Sequence, residues 1–189
     1  MAGGQMACAG LVALMVVATT GGGAQKGPET LRATAAAEKA DGTKVTAPVT
    51  IVIARTTPAE EGQTLAKAFM TGGEAALRKA LAGLSETGSV RIGDAAPTVA
   101  RIALDRPTEK GRLLTIVTDK PILFVGGGLP NAPPREGYGF GVLDIEVDAN
   151  GNGSGTISPA ARVKVVQGAF VVDDYAGQAV RLTGVTRAR

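Results

Sequence analysis

Apolar and polar positions alternate with three different rhythms along this chain. Residues 6–18 (MACAGLVALMVVA) are an unbroken apolar run, followed by the small residues Gly22-Gly23-Ala24. Residues 25–47 are polar and rich in Ala and Thr, with too little large apolar surface to offset the entropy of ordering, which predicts a flexible tether. Residues 49–53 (VTIVI) are β-branched throughout and predict a strand covered on both faces.

Helical spacing comes next. Thr57-Pro58-Ala59-Glu60 has the form of a helix start: a capping Thr, Pro at the first helical position, and Glu three residues after the cap. Leu65, Ala68 and Phe69 follow at helical intervals, Gly72-Gly73 interrupts, and Leu77, Leu81 and Leu84 resume the stripe. This predicts two short helices, or one kinked at the glycine pair.

From Ser89 the period changes to two. Ile102 and Leu104, residues 113–118, residues 122–125, and Leu143, Ile145 and Val147 all predict strands, as do residues 155–166, 170–173 and 180–185. Arg106 to Gly111, the Gly/Pro stretch 126–141 and Asn150-Gly151-Asn152-Gly153 separate them as turns and loops. The expected fold class is α+β, with one N-terminal strand, a short helical pair and then a mainly antiparallel β-sheet. The expected division is a signal peptide at 1–24, a flexible tether at 25–47 and a single domain at 48–189.

Composition narrows the chemistry. The 189 residues are 44% hydrophobic but only 3% aromatic, so any core must be built from aliphatic side chains. There is no His, no Trp and one cysteine, Cys8. These absences exclude His-dependent triads, His-ligated zinc and haem, an internal disulfide, and cysteine-held zinc or iron–sulfur sites. Residues 1–24 carry no charged side chain, and the apolar run ends in small residues, the pattern of a secretory signal too short to span a bilayer. Cleavage is expected after Ala24, which would leave a cysteine-free domain, secreted to the periplasm or beyond the cell.

Candidate sites are few. Asp148-Ala149-Asn150-Gly151-Asn152-Gly153 resembles the opening of a calcium loop, but its twelfth position is Pro159 where a bidentate carboxylate is required, so a hairpin turn is expected and no metal. Gly126-Gly127-Gly128 lacks the residues that complete a phosphate loop. Asp144, Glu146 and Asp148 share one strand face, which the alternation assigns to solvent. No catalytic residue and no cofactor follow from these patterns. The best candidate for recognition is the loop bearing Arg135, Glu136, Tyr138 and Phe140, where a cation, an acid and two aromatics lie close together. Its alternative is a rigid connection whose aromatics cap the sheet. Acids nearly balance bases at a net charge of +3, and stacking aromatics are scarce, so a nucleic-acid partner is not expected.

The stretches KPILFVGGG (120–128), LDIEVDANGNGSGTISPAARVKV (143–165) and GAFVVDDYAGQAVRLTGV (168–185) resemble exported bacterial proteins of unassigned activity. The resemblance covers the C-terminal third to half of the chain, implies export and a β-rich C-terminal half, and supplies no catalytic residue. The expectation is therefore an exported, non-catalytic binding or interaction module for a protein or small-molecule partner, without a transmembrane span in the mature chain. Two alternatives stay open: a His-independent carboxylate-based hydrolase, and an envelope-associated structural protein held by an uncleaved N-terminus.

Overall fold

A computed structural model describes residues 27–38, 41–122, 137–166, 169–174 and 180–188. Its elements run β1 (Glu29–Glu38), β2 (Lys44–Ile53), α1 (Ala59–Ala82), β3 (Gly88–Ile92), β4 (Thr98–Thr108), β5 (Gly111–Thr118), β6 (Phe140–Asp148), β7 (Gly153–Val166), β8 (Ala169–Asp174) and β9 (Val180–Arg187). Every pairing is antiparallel. Neighbours follow the order β6-β5-β4-β3-β2-β1-β9-β7-β8, and β6 also pairs with β7. That last pairing closes eight strands into a barrel, and β8 extends the far end of β7.

The expected α+β class is thereby corrected: the protein is mainly β, a closed antiparallel barrel with one helical element. Closure is what the alternation of single strands could not show. Residues 25–47 are corrected too, since β1 and the start of β2 lie within that predicted tether. In β1, Leu31, Ala33 and Ala35 face inward and are buried. The interior of an eight-stranded barrel is just wide enough for side chains to fill, and along β1 that space takes the small Ala33 and Ala35 beside Leu31. A stretch poor in large apolar groups is therefore a good strand here, because the ring supplies the burial.

The interior is filled. Val49 and Ile51 from β2, Ile92 from β3, Ile116 from β5, and Leu143 and Ile145 from β6 join β1 in one cluster, each no more than 1% exposed. Burying such a side chain contributes about 1.5–3 kcal/mol, and this cluster supplies most of the apolar burial. At the end of the barrel where β1 begins, charges replace hydrocarbon. Arg112 of β5 donates to both oxygens of Glu29 on β1 at 2.5 and 2.6 Å, and to Asp105 of β4 at 2.9 Å. Because β1 and β5 lie opposite each other in the ring, this network spans the barrel's mouth.

The helical pair expected from sequence is a single helical element bent at Gly72 and Gly73, where Gly73 adopts φ 64° and ψ −155°. A straight helix of 24 residues would be about 36 Å long. Yet the amide of Ala54, before α1, donates to the carbonyl of Thr87, after it, at 2.8 Å. The segment must fold back, and only glycine adopts the Gly73 conformation readily. Leu65 and Leu81 from its two arms meet Phe140, with Leu77, Ile102, Val117 and Val163 around them, so α1 covers the outside of β4 to β7.

Thr57 is not the cap its sequence context predicts. The N-cap position falls on Pro58 with no side-chain cap hydrogen bond. The Thr57 hydroxyl instead accepts from the amide of Ala103 at 2.8 Å, and the Thr57 amide donates to the Ala103 carbonyl at 2.8 Å. Thr57 thus continues the ladder along the edge of β4 where β3 has ended. Thr57→Ala is expected to cost about 1–2 kcal/mol, because a partly buried strand amide loses its acceptor. An unfolding midpoint in urea equal to that of the parent would show that this hydrogen bond contributes nothing.

Candidate functional site

Of the four residues of the candidate loop, Arg135 and Glu136 lie outside the described residues. The structure separates the other two. Phe140 begins β6, is 1% exposed and packs beneath α1, with the Arg78 guanidinium 6.0 Å from its ring centroid. Tyr138 is half-buried and reaches β7 and β8.

The β7–β8 hairpin sets the surroundings of Tyr138. Its register places Arg162 opposite Asp173 and Lys164 opposite Val171, so Arg162 and Lys164 share one face. Asp173 accepts from Arg162 Nε at 2.7 Å, from Lys164 Nζ at 2.6 Å, and from the Tyr138 hydroxyl at 2.9 Å. The guanidinium carbon of Arg162 sits 4.8 Å from the Tyr138 ring centroid, a cation–π distance. The four residues form one polar cluster at the base of the hairpin.

Its electrostatics follow from those contacts. Hydrogen bonds from Lys164 and then Arg162 hold the Asp173 carboxyl down to about 2. The hydrogen bond to Asp173 pushes the Tyr138 phenol up, and the same carboxylate raises Arg162. A carboxyl so depressed stays ionised at neutral pH, so it anchors cations and is not a proton donor. The folded-state value lies below the unfolded one, about 3.9, so its stabilisation is complete above roughly pH 4 and is lost as pH falls through about 2. NMR titration of the Asp173 carboxyl is expected to give a midpoint near 2, rising towards about 3.9 in Lys164→Ala. A normal midpoint in the parent protein would mean that the cluster does not form in solution.

The alternation puts Arg162 and Lys164 in the predicted strand 155–166 and Asp173 at the end of the predicted strand 170–173, with nothing local to join them. The missing signal was the turn. Once Val166 is set against Ala169, Arg162 falls opposite Asp173, because the register runs unbroken along the two strands.

The other sequence-derived candidates serve structure. Asp148 Oδ1 accepts from the amides of Asn150 at 2.8 Å and Asn152 at 2.9 Å, closing the β6–β7 turn on itself. With that carboxylate committed to backbone amides, unfolding with excess chelator and with millimolar calcium is expected to give the same thermal midpoint. A rise of about ten degrees on adding calcium would establish a real site, since binding to the folded state alone raises its stability. Asp144 faces outward and accepts from the buried Thr115 hydroxyl at 2.6 Å, while Glu146 beside it is exposed. Between the β4–β5 and β6–β7 turns lies an open cleft of about 450 Å³, lined by Glu109, Lys110, Glu146, Asp148 and Asn152 among others. Among the described residues no group of three His, Cys, Asp or Glu is placed to hold a metal ion, and no helix is long and apolar enough to cross a membrane.

The site and its scaffold define a closed eight-stranded antiparallel barrel with a filled interior and a polar cluster outside. Compared with protein-family models, with curated proteins and with solved structures, the chain gives no match.

Proposed function

We propose that this protein is an exported, non-catalytic binding module whose contact surface is the outer cluster around Tyr138 at the base of the β7–β8 hairpin. The observation that carries this reading is the pairing of a filled barrel with a half-exposed aromatic held by charge. Barrels that carry small molecules do so in an internal chamber, and here Val49, Ile51, Ile116, Leu143 and Ile145 occupy that volume. A partner must then be met on the outside. Tyr138, fixed by Asp173 and stacked on Arg162, offers a rigid amphipathic ring there at small entropic cost. Export is supported by the uncharged apolar run ahead of Gly22-Gly23-Ala24.

Two measurements test the reading. Secretion from a bacterial host followed by N-terminal sequencing should give a chain beginning near Gln25; cytosolic protein with its N-terminus intact would overturn export. NMR screening against a panel of peptides, oligosaccharides and small anions should give amide shifts confined to residues 137–140 and 162–173, abolished by Tyr138→Ala. Shifts confined to any other surface would move the contact site elsewhere.

A further inference from the structure

Resting on that reading of the Tyr138 surface, we propose that it takes an oxyanion, a carboxylate or phosphate group, on the outward ends of Arg162 and Lys164. The first observation is the imbalance of charge. Arg162, Lys164 and Arg78 face this surface with Asp173 and Glu74, and Arg78 is paired to Glu74 at 3.5 Å. Glu74 also attracts Arg162, yet three cations still face two carboxylates here, so one positive charge is left over among the described residues.

The second observation is the geometry of the donors. Arg162 spends only its Nε on Asp173, at 2.7 Å, so the fork of its two terminal nitrogens has no hydrogen-bond partner among the described residues. Its side chain is 36% exposed and that of Lys164 is 43% exposed. A guanidinium fork is matched in shape to two oxygens of a carboxylate or phosphate, and the Tyr138 ring beneath it holds the plane. Lys164, two residues along the same strand, supplies a second point charge, and its Nζ meets the same Asp173 oxygen as Arg162 Nε. Asp173 acts as the internal stand-in for the ligand: it keeps the two cations together and competes for the same donors. The cleft between the β4–β5 and β6–β7 turns cannot substitute, because Glu109, Glu146 and Asp148 face Lys110 alone there.

The test is an NMR titration of the full chain at low ionic strength, following Arg162 Nε and the backbone amides. Sodium phosphate and sodium succinate are the anionic probes, sodium chloride the ionic-strength reference, and neutral maltohexaose and hexalysine are run in parallel. Saturable shifts at Arg162 with phosphate or succinate beyond the chloride reference are expected, and the tighter of the two identifies the oxyanion. Asp173→Asn should bind about tenfold more tightly, having lost the competing carboxylate, and Arg162→Gln or Lys164→Gln about tenfold more weakly. No saturation with either anion, or an affinity unchanged in Asp173→Asn, overturns the proposal. Shifts at these residues with maltohexaose or hexalysine alone overturn the anion and leave the contact surface standing. Silence from all four probes overturns both.

Discussion

Arg112→Leu is expected to destabilise the protein by about 3 kcal/mol or more, because it removes the cation that bridges two largely buried carboxylates in the barrel's mouth. Glu29 and Asp105 are 6% and 13% exposed, and Arg112 is 16% exposed between them. Burial opposes the charge on Arg112, yet its hydrogen bonds to Glu29 and Asp105 outweigh that effect and hold its pKa above the ordinary arginine value. Removing the cation takes from both carboxylates the hydrogen bonds that offset their burial. Arg187 approaches Glu29 at 3.4 Å but is 60% exposed, so it replaces little of what is lost. Replacing all three residues with leucine should recover most of the stability, since a well-packed apolar plug matches a buried ion network. Denaturant midpoints of the single and triple variants decide the matter. A single variant as stable as the parent would show that the network carries no weight.

Gly88→Ala is the other substitution with a large expected effect, again about 3 kcal/mol or more. Gly88 opens β3 and pairs with Ile53 on one side and Ala100 on the other. A Cβ built there would lie 1.8 Å from the Val52 carbonyl oxygen and 2.9 Å from its carbon. Those atoms are backbone in the adjacent strand and cannot swing aside as a side chain would. In a closed ring, moving β2 away from β3 also disturbs its pairing with β1, so strain is shared and not relieved. Gly62 is the control. Nothing lies within 4 Å of its Cβ position, and Ala there should be neutral or stabilising by about 0.5–1 kcal/mol. If the two variants unfold at the same midpoint, the close approach of β2 to β3 is not present in solution.

Much of the strand content was legible along the chain. Leu143, Ile145 and Val147 alternate with Asp144, Glu146 and Asp148, and the structure buries the first set and turns the second outward. The Gly72-Gly73 interruption marks where α1 folds back. Asn150 to Gly153 forms the turn its residues predict. These features depend on neighbours within a few positions, where side-chain period and backbone freedom act directly.

The candidate site was legible only in part. Tyr138 was singled out for its place in a Gly/Pro loop, and Phe140 with it, but nothing local distinguishes a ring that meets Arg162 from one that packs under α1. That distinction needs α1 laid across β6, a contact between segments some sixty residues apart in sequence. Arg162, Lys164 and Asp173 were visible singly; their meeting required the register of a hairpin.

By itself, then, the sequence determined which side chains can serve in strands, where the chain must turn, and which chemistries are absent for want of His and of a second Cys. The tertiary structure alone decided that the sheet closes, and closure changed the meaning of individual residues. An Ala-rich stretch became β1 because a narrow interior accepts small side chains, and a capping motif gave its Thr57 hydroxyl to the open edge of β4. Glu29, Asp105 and Arg112 meet because a ring brings opposite strands face to face. Periodicity records which face of a strand is buried, whereas the partner across that face is set by chain closure over long sequence separations, which no local pattern encodes.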